Sequence, residues 1–359
     1  MSPAGKRPTL SDLAAAAGVS RATASNAFNR PERLSAARRE EILALAERMG
    51  YAGPDPTAAN LRRGRVGAIG VVLPDRLNYA FNDPAGVLIL DGLAEAVGAA
   101  GAALLLLAGD GTGGGPAPVA VMTAAVDGFV LYCVARDDPA LPALQRRRLP
   151  MVLIDQTPIR GSSTVDLDEE QGTVALVEHL LELGHRRFGI VTLECRPDGR
   201  AGPIDAARRA DITYSVTRRR LDAATGALHA AGIDEVPMYE AGHNIPGEGE
   251  AAGRWLLERD PRPTAIVCQS DQLAFGVLAT VRAMGLEIPG DVSIAGFDDI
   301  EAARMSEPAL TTIAQPLRER GRLAGTLLLK AMAGGRPRNV RLHAELVVRG
   351  TTGPAPRSG

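Results

Sequence analysis

No stretch of the 359-residue chain approaches the ~18–20 consecutive apolar residues that a membrane-crossing helix needs; LLLLA at 104–108 has the length of a buried strand. The first residues, MSPAGKRPTLSD, lack the apolar segment of a secretory signal. The expectation is therefore a cytoplasmic protein with no membrane partner. Cysteine is scarce: Cys133, Cys195 and Cys268 are too few and too scattered for a disulfide framework or a zinc site. Cys133 and Cys268 lie in apolar runs (GFVLYCV, AIVCQ) and read as buried thiols. Catalytic signatures are missing too, with no G-x-S-x-G, H-E-x-x-H, C-x-x-C or P-loop, so no enzyme and no cofactor is expected. A G-x-G-x-x-G at Gly109, Gly111 and Gly114 runs straight into Pro116 and Pro118. A dinucleotide site needs a helix starting inside that motif, so a surface loop is the better reading. His179 and His185 are six residues apart, on different helical faces, and do not make a joint metal site; His185 reads as a helix end.

What is present is unevenly distributed. Residues 1–65 carry a net charge of +5 and the remainder −7. A basic front on an acidic body suits a phosphate-contacting module whose larger part stays off nucleic acid. Within that front, TLSDLAAAAGVSRATASNAFN (9–29) reads as two short helices around a turn. Thr9 caps the first, with Leu10, Leu13, Ala14 and Ala17 as its apolar stripe. Gly18 can end it in the left-handed conformation. Ser20 caps the second, with Ala24, Ala27 and Phe28 inward and Arg21, Ala22, Thr23, Ser25 and Asn26 outward. Small alanines let two helices cross closely, as a helix-turn-helix requires. Ser35 opens a third amphipathic helix, SAARREEILALAERMGY, with Ile42, Leu45, Ala46 and Met49 on one face.

These blocks, followed by ANLRRGR, resemble in order and spacing the N-terminus of the lactose/galactose repressor family of bacterial transcription regulators. The resemblance implies a head at 1–56 and a hinge helix and linker at 57–65. It implies DNA contacts from Thr9, Ser20, Arg21, Ala22, Thr23, Ser25, Asn26, Asn29, Asn60, Leu61 and Arg62. Arg21, Ala22 and Asn26 would face base edges, Thr23, Ser25 and Asn29 phosphate, and Leu61 would wedge into the minor groove. The segment GPDPT carries an extra residue relative to the family pattern, which moves the hinge register by about one position.

From Val66 onward strands alternate with helices, the pattern of parallel sheets covered on both faces. There are too many units for one sheet, so two Rossmann-like subdomains are expected, giving an α/β fold. The resemblance covers residues 8 to about 350 and implies a core of periplasmic-binding-protein type at 66–350. Its expected subdomains are 66–160 plus 291–312 and 161–290 plus 313–350, with crossings near 158–163, 288–293 and 310–315. Residues 351–359 read as a disordered tail.

Ligands of open parallel sheets bind beyond the carboxyl ends of strands. Asp155 and Asp298 sit at such ends, each equally readable as structural, and Asp271 reads first as a helix cap. The family resemblance implies effector contacts from Asp155, Arg220, Ser270 and Asp298, with Arg218 and Arg219 left to solvent. Tyr79 and Phe81 could wall the pocket or simply pack. Carboxylate and guanidinium in one cleft suit a sugar or sugar derivative. The loop CRPDGRAGPIDAARRADITYSV is longer than is usual in the family, and YAFNDPAG replaces an SNPFF-like segment, so effector identity does not carry over. The expected protein is a homodimeric, effector-controlled regulator of a near-palindromic duplex operator, a repressor first. The rival is a solute-binding or enzymatic α/β protein with an incidental helical N-terminus.

Overall fold

The computed structural model describes residues 8–53, 65–110 and 114–357. The chain divides into two compact units, Met1–Gly67 and Ala68–Gly359. The expected hinge residues Asn60, Leu61 and Arg62 lie outside the described residues.

The first unit is built on α1 (Leu10–Ala16), α2 (Arg21–Asn29) and α3 (Ala36–Arg48). Each start is capped by a hydroxyl, from Thr9, Ser20 and Ser35 in turn. At α1 the cap is reciprocal, because the Asp12 carboxylate also accepts the Thr9 amide at 2.8 Å. Gly18, at φ +62°, turns the chain between α1 and α2 where a Cβ would be strained. Leu13, Ala27, Ile42 and Ala46 form the core, and half-buried Phe28 meets Tyr51 edge-on at 5.7 Å. Two arginines of α3 reach back to the carbonyl ends of the other helices. Arg38 donates to Ala17 O (3.2 Å) and Arg39 to Ala27 O (3.2 Å), where helix dipoles favour cations.

The second unit has two lobes. β1 (Ala68–Arg76), β2 (Ala103–Gly109), β3 (Phe129–Tyr132), β4 (Met151–Ile154) and β5 (Ser163–Leu167) precede β6 (Phe188–Thr192), β7 (Gly202–Pro203), β8 (Met238–Glu240), β9 (Ala265–Cys268) and β10 (Ser293–Ala295). β11 (Thr312–Ala314), β12 (Asn339–Leu342) and β13 (Glu345–Val347) complete the series. One sheet runs β12-β5-β4-β3-β1-β2, all parallel, and the other β10-β9-β6-β8-β7, parallel except for β7. β11 and β13 pair separately and antiparallel.

This order corrects the expected subdomain boundaries. β5, expected in the second lobe, pairs with β4 and β12 in the first sheet, while β10, expected in the first, pairs with β9 in the second. Helix Leu317–Met332 and β12 also belong to the first lobe, since that helix packs on helix Pro84–Ala99. The chain therefore passes between lobes near 168, 315–316 and 343–344, and the expected crossings at 158–163 and 288–293 fall inside single lobes. The reason is local. β5 (STVDL) and β12 (NVRL) mix polar with apolar residues and lack the continuous apolar run that announces a buried parallel strand.

Each lobe contains a pair of helices crossing on glycine. A Cβ on Gly92 would lie 1.8 Å from Arg318 O, and one on Gly321 1.9 Å from Ile89 O. In the other lobe Gly249 and Gly276 play the same part, 2.2 Å from Leu273 O and 2.0 Å from Pro246 O. The expectation of a disordered tail is corrected through residue 357. Thr351 is fully buried, its carbonyl accepts the Ile294 amide (2.9 Å), and its hydroxyl accepts the Thr311 amide (2.8 Å). Ala355 N reaches Leu183 O at 2.8 Å. His185 does not end a helix. It lies buried two residues past the cap, bridging Thr264, Ser293 and the Gly353 carbonyl.

Candidate functional site

In the head, the outward face of α2 is what remains once the core is packed. Arg21 and Ala22 are exposed, Ser25 and Asn26 half-exposed, and Asn29 exposed. Among the described residues Arg21 makes no hydrogen bond or ion pair, so its guanidinium keeps all five donors for an external acceptor. Ser20 and Thr23 are committed locally: the Ser20 hydroxyl accepts the Thr23 amide (3.0 Å) and lies 2.8 Å from the Thr23 hydroxyl. Asn29 donates to Ser25 at 3.3 Å.

In the core, the strand order determines where a ligand can sit. β1 lies between β2 and β3, and β6 between β8 and β9, so connections leave each in opposite directions. Those are the topological switch points of the two sheets, where crevices form beyond the carboxyl ends. The chain at and just past the strand ends lines one shared cleft: Leu73, Pro74 and Asp75 in the last residues of β1, Tyr132 at the end of β3 with Cys133 after it, and Leu193 and Glu194 after β6. Tyr79, Asp83, Tyr214, Thr217 and Asn244 complete its polar lining. Residues of both lobes therefore wall a single cleft.

Each polar group has a local reason for its place. Asp83 caps helix Pro84–Ala99, accepting the amides of Ala85 (3.3 Å) and Gly86 (3.1 Å). Burial lifts its carboxyl above the usual range, and the two amides offset this only in part. Burial likewise raises Glu194, against the opposing pull of His243, whose Nδ1 lies 3.2 Å away. His243, 4.0 Å from Asp75 across the cleft, is raised chiefly by its hydrogen bond to Glu194. The phenols of Tyr79, Tyr132 and Tyr214 are all raised by burial, with nearby carboxylates adding to it. Arg196 ties the lobes at the rim, pairing with Asp137 and Asp211 at 2.8 Å each.

A balanced set of charges lies beside the cleft. Arg320, fully buried, pairs with Asp155 and donates to Gln315. Glu169 accepts from Arg219 at 2.7 Å and Arg220 at 3.0 Å. Arg220 also donates to Gln269 O (2.6 Å), lies 3.9 Å from Asp298 and stacks 3.5 Å above the Phe297 ring. Burial would push Asp155 up, but Arg320, with Arg219 and Arg220 behind it, outweighs that and holds it below the ordinary carboxylate value. For Glu169 and Asp298 burial prevails over Arg220 and both are raised. Cys133 (φ +50°), Asp155 (+55°) and Asp298 (+123°) all adopt backbone that non-glycine residues avoid, at a cost on the order of 1–3 kcal/mol each. Such strain gathers where strand ends converge on a site.

The expected effector residues therefore separate. Tyr79 lines the cleft. Asp155, Arg220 and Asp298 come together beside the cleft, in one ion network with Glu169, Arg219 and Arg320. Ser270 caps helix Asp271–Ala283 and donates to Asn244, so it stands behind a lining residue. The cap role expected of Asp271 is corrected accordingly; its carboxylate instead accepts from the Thr312 hydroxyl and the Ile300 amide. Phe81 is 59% exposed and outside the lining, so it does not wall the pocket. Nor is Arg219 left to solvent, while Arg218 donates to Ile212 O at 2.8 Å. Asp75, Asp83, Tyr132, Glu194, Tyr214 and Asn244 were missed. One signal could have found some of them: three of only five tyrosines converge here.

A helix-turn-helix head on a two-lobed sensor with a cleft between facing sheets defines a ligand-sensing DNA-binding regulator. Residues 9–53 match the family described as bacterial regulatory proteins, lacI family, and residues 177–352 the periplasmic binding protein-like domain. An HTH-type transcriptional regulator of Mycobacterium tuberculosis is 41% identical over 97% of this chain and 98% of its own length. A solved LacI-family regulator from Corynebacterium glutamicum is 35% identical, covers 96% of this chain and 99% of itself, and superposes with a TM-score of 0.72. The regulator CelR in complex with cellobiose is 28% identical over 96% of this chain and 100% of that one, with a TM-score of 0.66. The chain belongs to the lacI family of bacterial regulatory proteins, and it is a DNA-binding transcriptional regulator. Its relatives are regulators rather than enzymes. Among the described residues no helix is long and apolar enough to cross a membrane.

Proposed function

We propose that the chain is a homodimeric repressor, working in the cytoplasm, whose operator affinity is set by a sugar-like effector in the cleft. The observation that carries this reading is the cleft itself, at two facing switch points of a sensor that shares its chain with a helix-turn-helix. The complex of CelR with cellobiose supports a saccharide class of effector.

In this reading the second helix enters the major groove. Arg21 forks onto guanine, Asn26 pairs with adenine and Ala22 offers a methyl contact. Thr23, Ser25 and Asn29 hold phosphates, which fixes register without reading sequence, and Thr9 and Ser20 cap the helices that face the DNA. Asn60 and Arg62 flank Leu61, which wedges the minor groove. Support for Arg21 is its exposure and its lack of a partner among the described residues. A dimer places two such helices ~34 Å apart and reads a near-palindrome. Leu77, Phe81, Leu88, Val119 and Met122, exposed apolar residues of the first lobe, support a second copy as its cover. Asp155, Arg220 and Asp298 act as a latch beside the cleft, and ligand-driven movement of the lobes biases the hinge. Operator selection from a random duplex pool tests the reading: recovery of a two-fold symmetric site supports it, and enrichment of no sequence refutes it.

A further inference from the structure

Among the described residues no lysine or arginine lines the cleft. Its charged lining is Asp75, Asp83 and Glu194, all carboxylates. The nearby guanidiniums are already committed, with Arg219, Arg220 and Arg320 matched against Asp155, Glu169 and Asp298. Among the described residues no protein group hydrogen-bonds the hydroxyls of Tyr79, Tyr132 and Tyr214, although all three side chains are at least half buried. A buried phenol keeps a partner, and all three of these line the cleft. The lining therefore offers many acceptors and three hydroxyls able to give or take, with the His243 imidazole beside Glu194 as the nearest cation. Asp83 already receives two helix amides and Glu194 the His243 imidazole, so neither needs a ligand cation to satisfy it. Both keep lone pairs for O–H donors.

We propose that this cleft selects an uncharged, hydroxyl-rich ligand, a free polyol or sugar, and rejects its phosphate ester or carboxylate acid. The proposal rests on the reading of the cleft as the effector site. Hydroxyl donors meet the carboxylates and phenols, and the Leu73, Leu90 and Val216 side chains cover the C–H faces. An anionic group placed here meets three carboxylates whose cationic neighbour, His243, is already engaged by Glu194, and a partly desolvated site penalises that heavily.

The test is calorimetric titration of the full chain with paired probes. Free aldoses, alditols, cyclic polyols and cellobiose are set against glucose 6-phosphate, ribose 5-phosphate and the matching uronic and aldonic acids. The expected result is that at least one free polyol binds, while its phosphorylated or acidic counterpart binds about tenfold or more weakly. In E194Q the gap between the pair narrows, and in Y214F the free polyol weakens. An ester or acid that binds as tightly as its parent, or more tightly, overturns the charge selection and leaves the site reading intact. Binding that neither E194Q nor Y214F alters, or no heat from any probe, overturns the cleft as the site and the selection with it. Circular dichroism of each variant confirms that a lost signal is not lost folding.

Discussion

Arg320→Met removes the fully buried guanidinium that faces Asp155 while leaving a side chain of similar length. Asp155 keeps Arg219 at 3.8 Å, a distance too long for a hydrogen bond, so most of its compensation goes. Breaking a buried pair on one side costs about 3–5 kcal/mol, because the remaining charge stays desolvated. For a unit of this size that lowers the core's melting temperature on the order of 10 °C. Asp155→Asn removes the other partner and suits the position, since asparagine tolerates φ +55°. The double variant buries two neutral groups and should cost less than the sum, with a coupling of about 1–3 kcal/mol. Urea unfolding followed through Trp255, the single tryptophan, measures all three. The acid limb gives an independent check. Asp155 is lowered in the fold, so its contribution is complete above the ordinary carboxylate value and fades as pH falls through the lowered one. Asp155→Asn should flatten that limb. A cost below about 1 kcal/mol for Arg320→Met, or strictly additive single variants, refutes the reasoning.

Other expectations follow from the same geometry. Arg21→Ala should cost about 1–3 kcal/mol on the selected operator and relax one base preference; equal loss on all duplexes, measured by anisotropy, would reassign Arg21 to phosphate. His243 should titrate above 6.5 by NMR, and Glu194→Gln should bring it back towards that value. The sign follows: the imidazolium's contribution is complete below 6.5 and disappears as pH rises through the raised folded value. Gly92→Ala should destabilise the first lobe by about 1–3 kcal/mol or more, since its Cβ would strike backbone that cannot swing aside; an unchanged melting temperature would contradict the close crossing.

The head was legible in the sequence because its signals are local: Thr9, Ser20 and Ser35 as caps, Gly18 as turn, alanines at the crossing. Strand–helix alternation likewise revealed two parallel sheets. What escaped was long-range. β5 and β12 are 175 residues apart at Thr164 and Asn339, and only their pairing shows which lobe owns them. Arg220, Asp155 and Asp298 read from the sequence as effector contacts, and nothing local indicates that Glu169 and Arg320 pair with them. The cleft lining comes from strand ends scattered between Leu73 and Asn244, and a carboxylate such as Asp83 looks from sequence like any helix cap. Thr351 and Gly353 resemble a loose tail until His185 and Ile294 are seen to hold them.

The most direct measurement is fluorescence anisotropy of the full chain on its selected duplex, with and without the polyol that calorimetry identifies, against random competitor DNA. Preference for the selected site by ~10³-fold or more, reduced when the polyol fills the cleft, is the expected result. Equal affinity for competitor, or a preference that saturating polyol leaves unchanged, would contradict a head that reads DNA under the control of a ligand-sensing core.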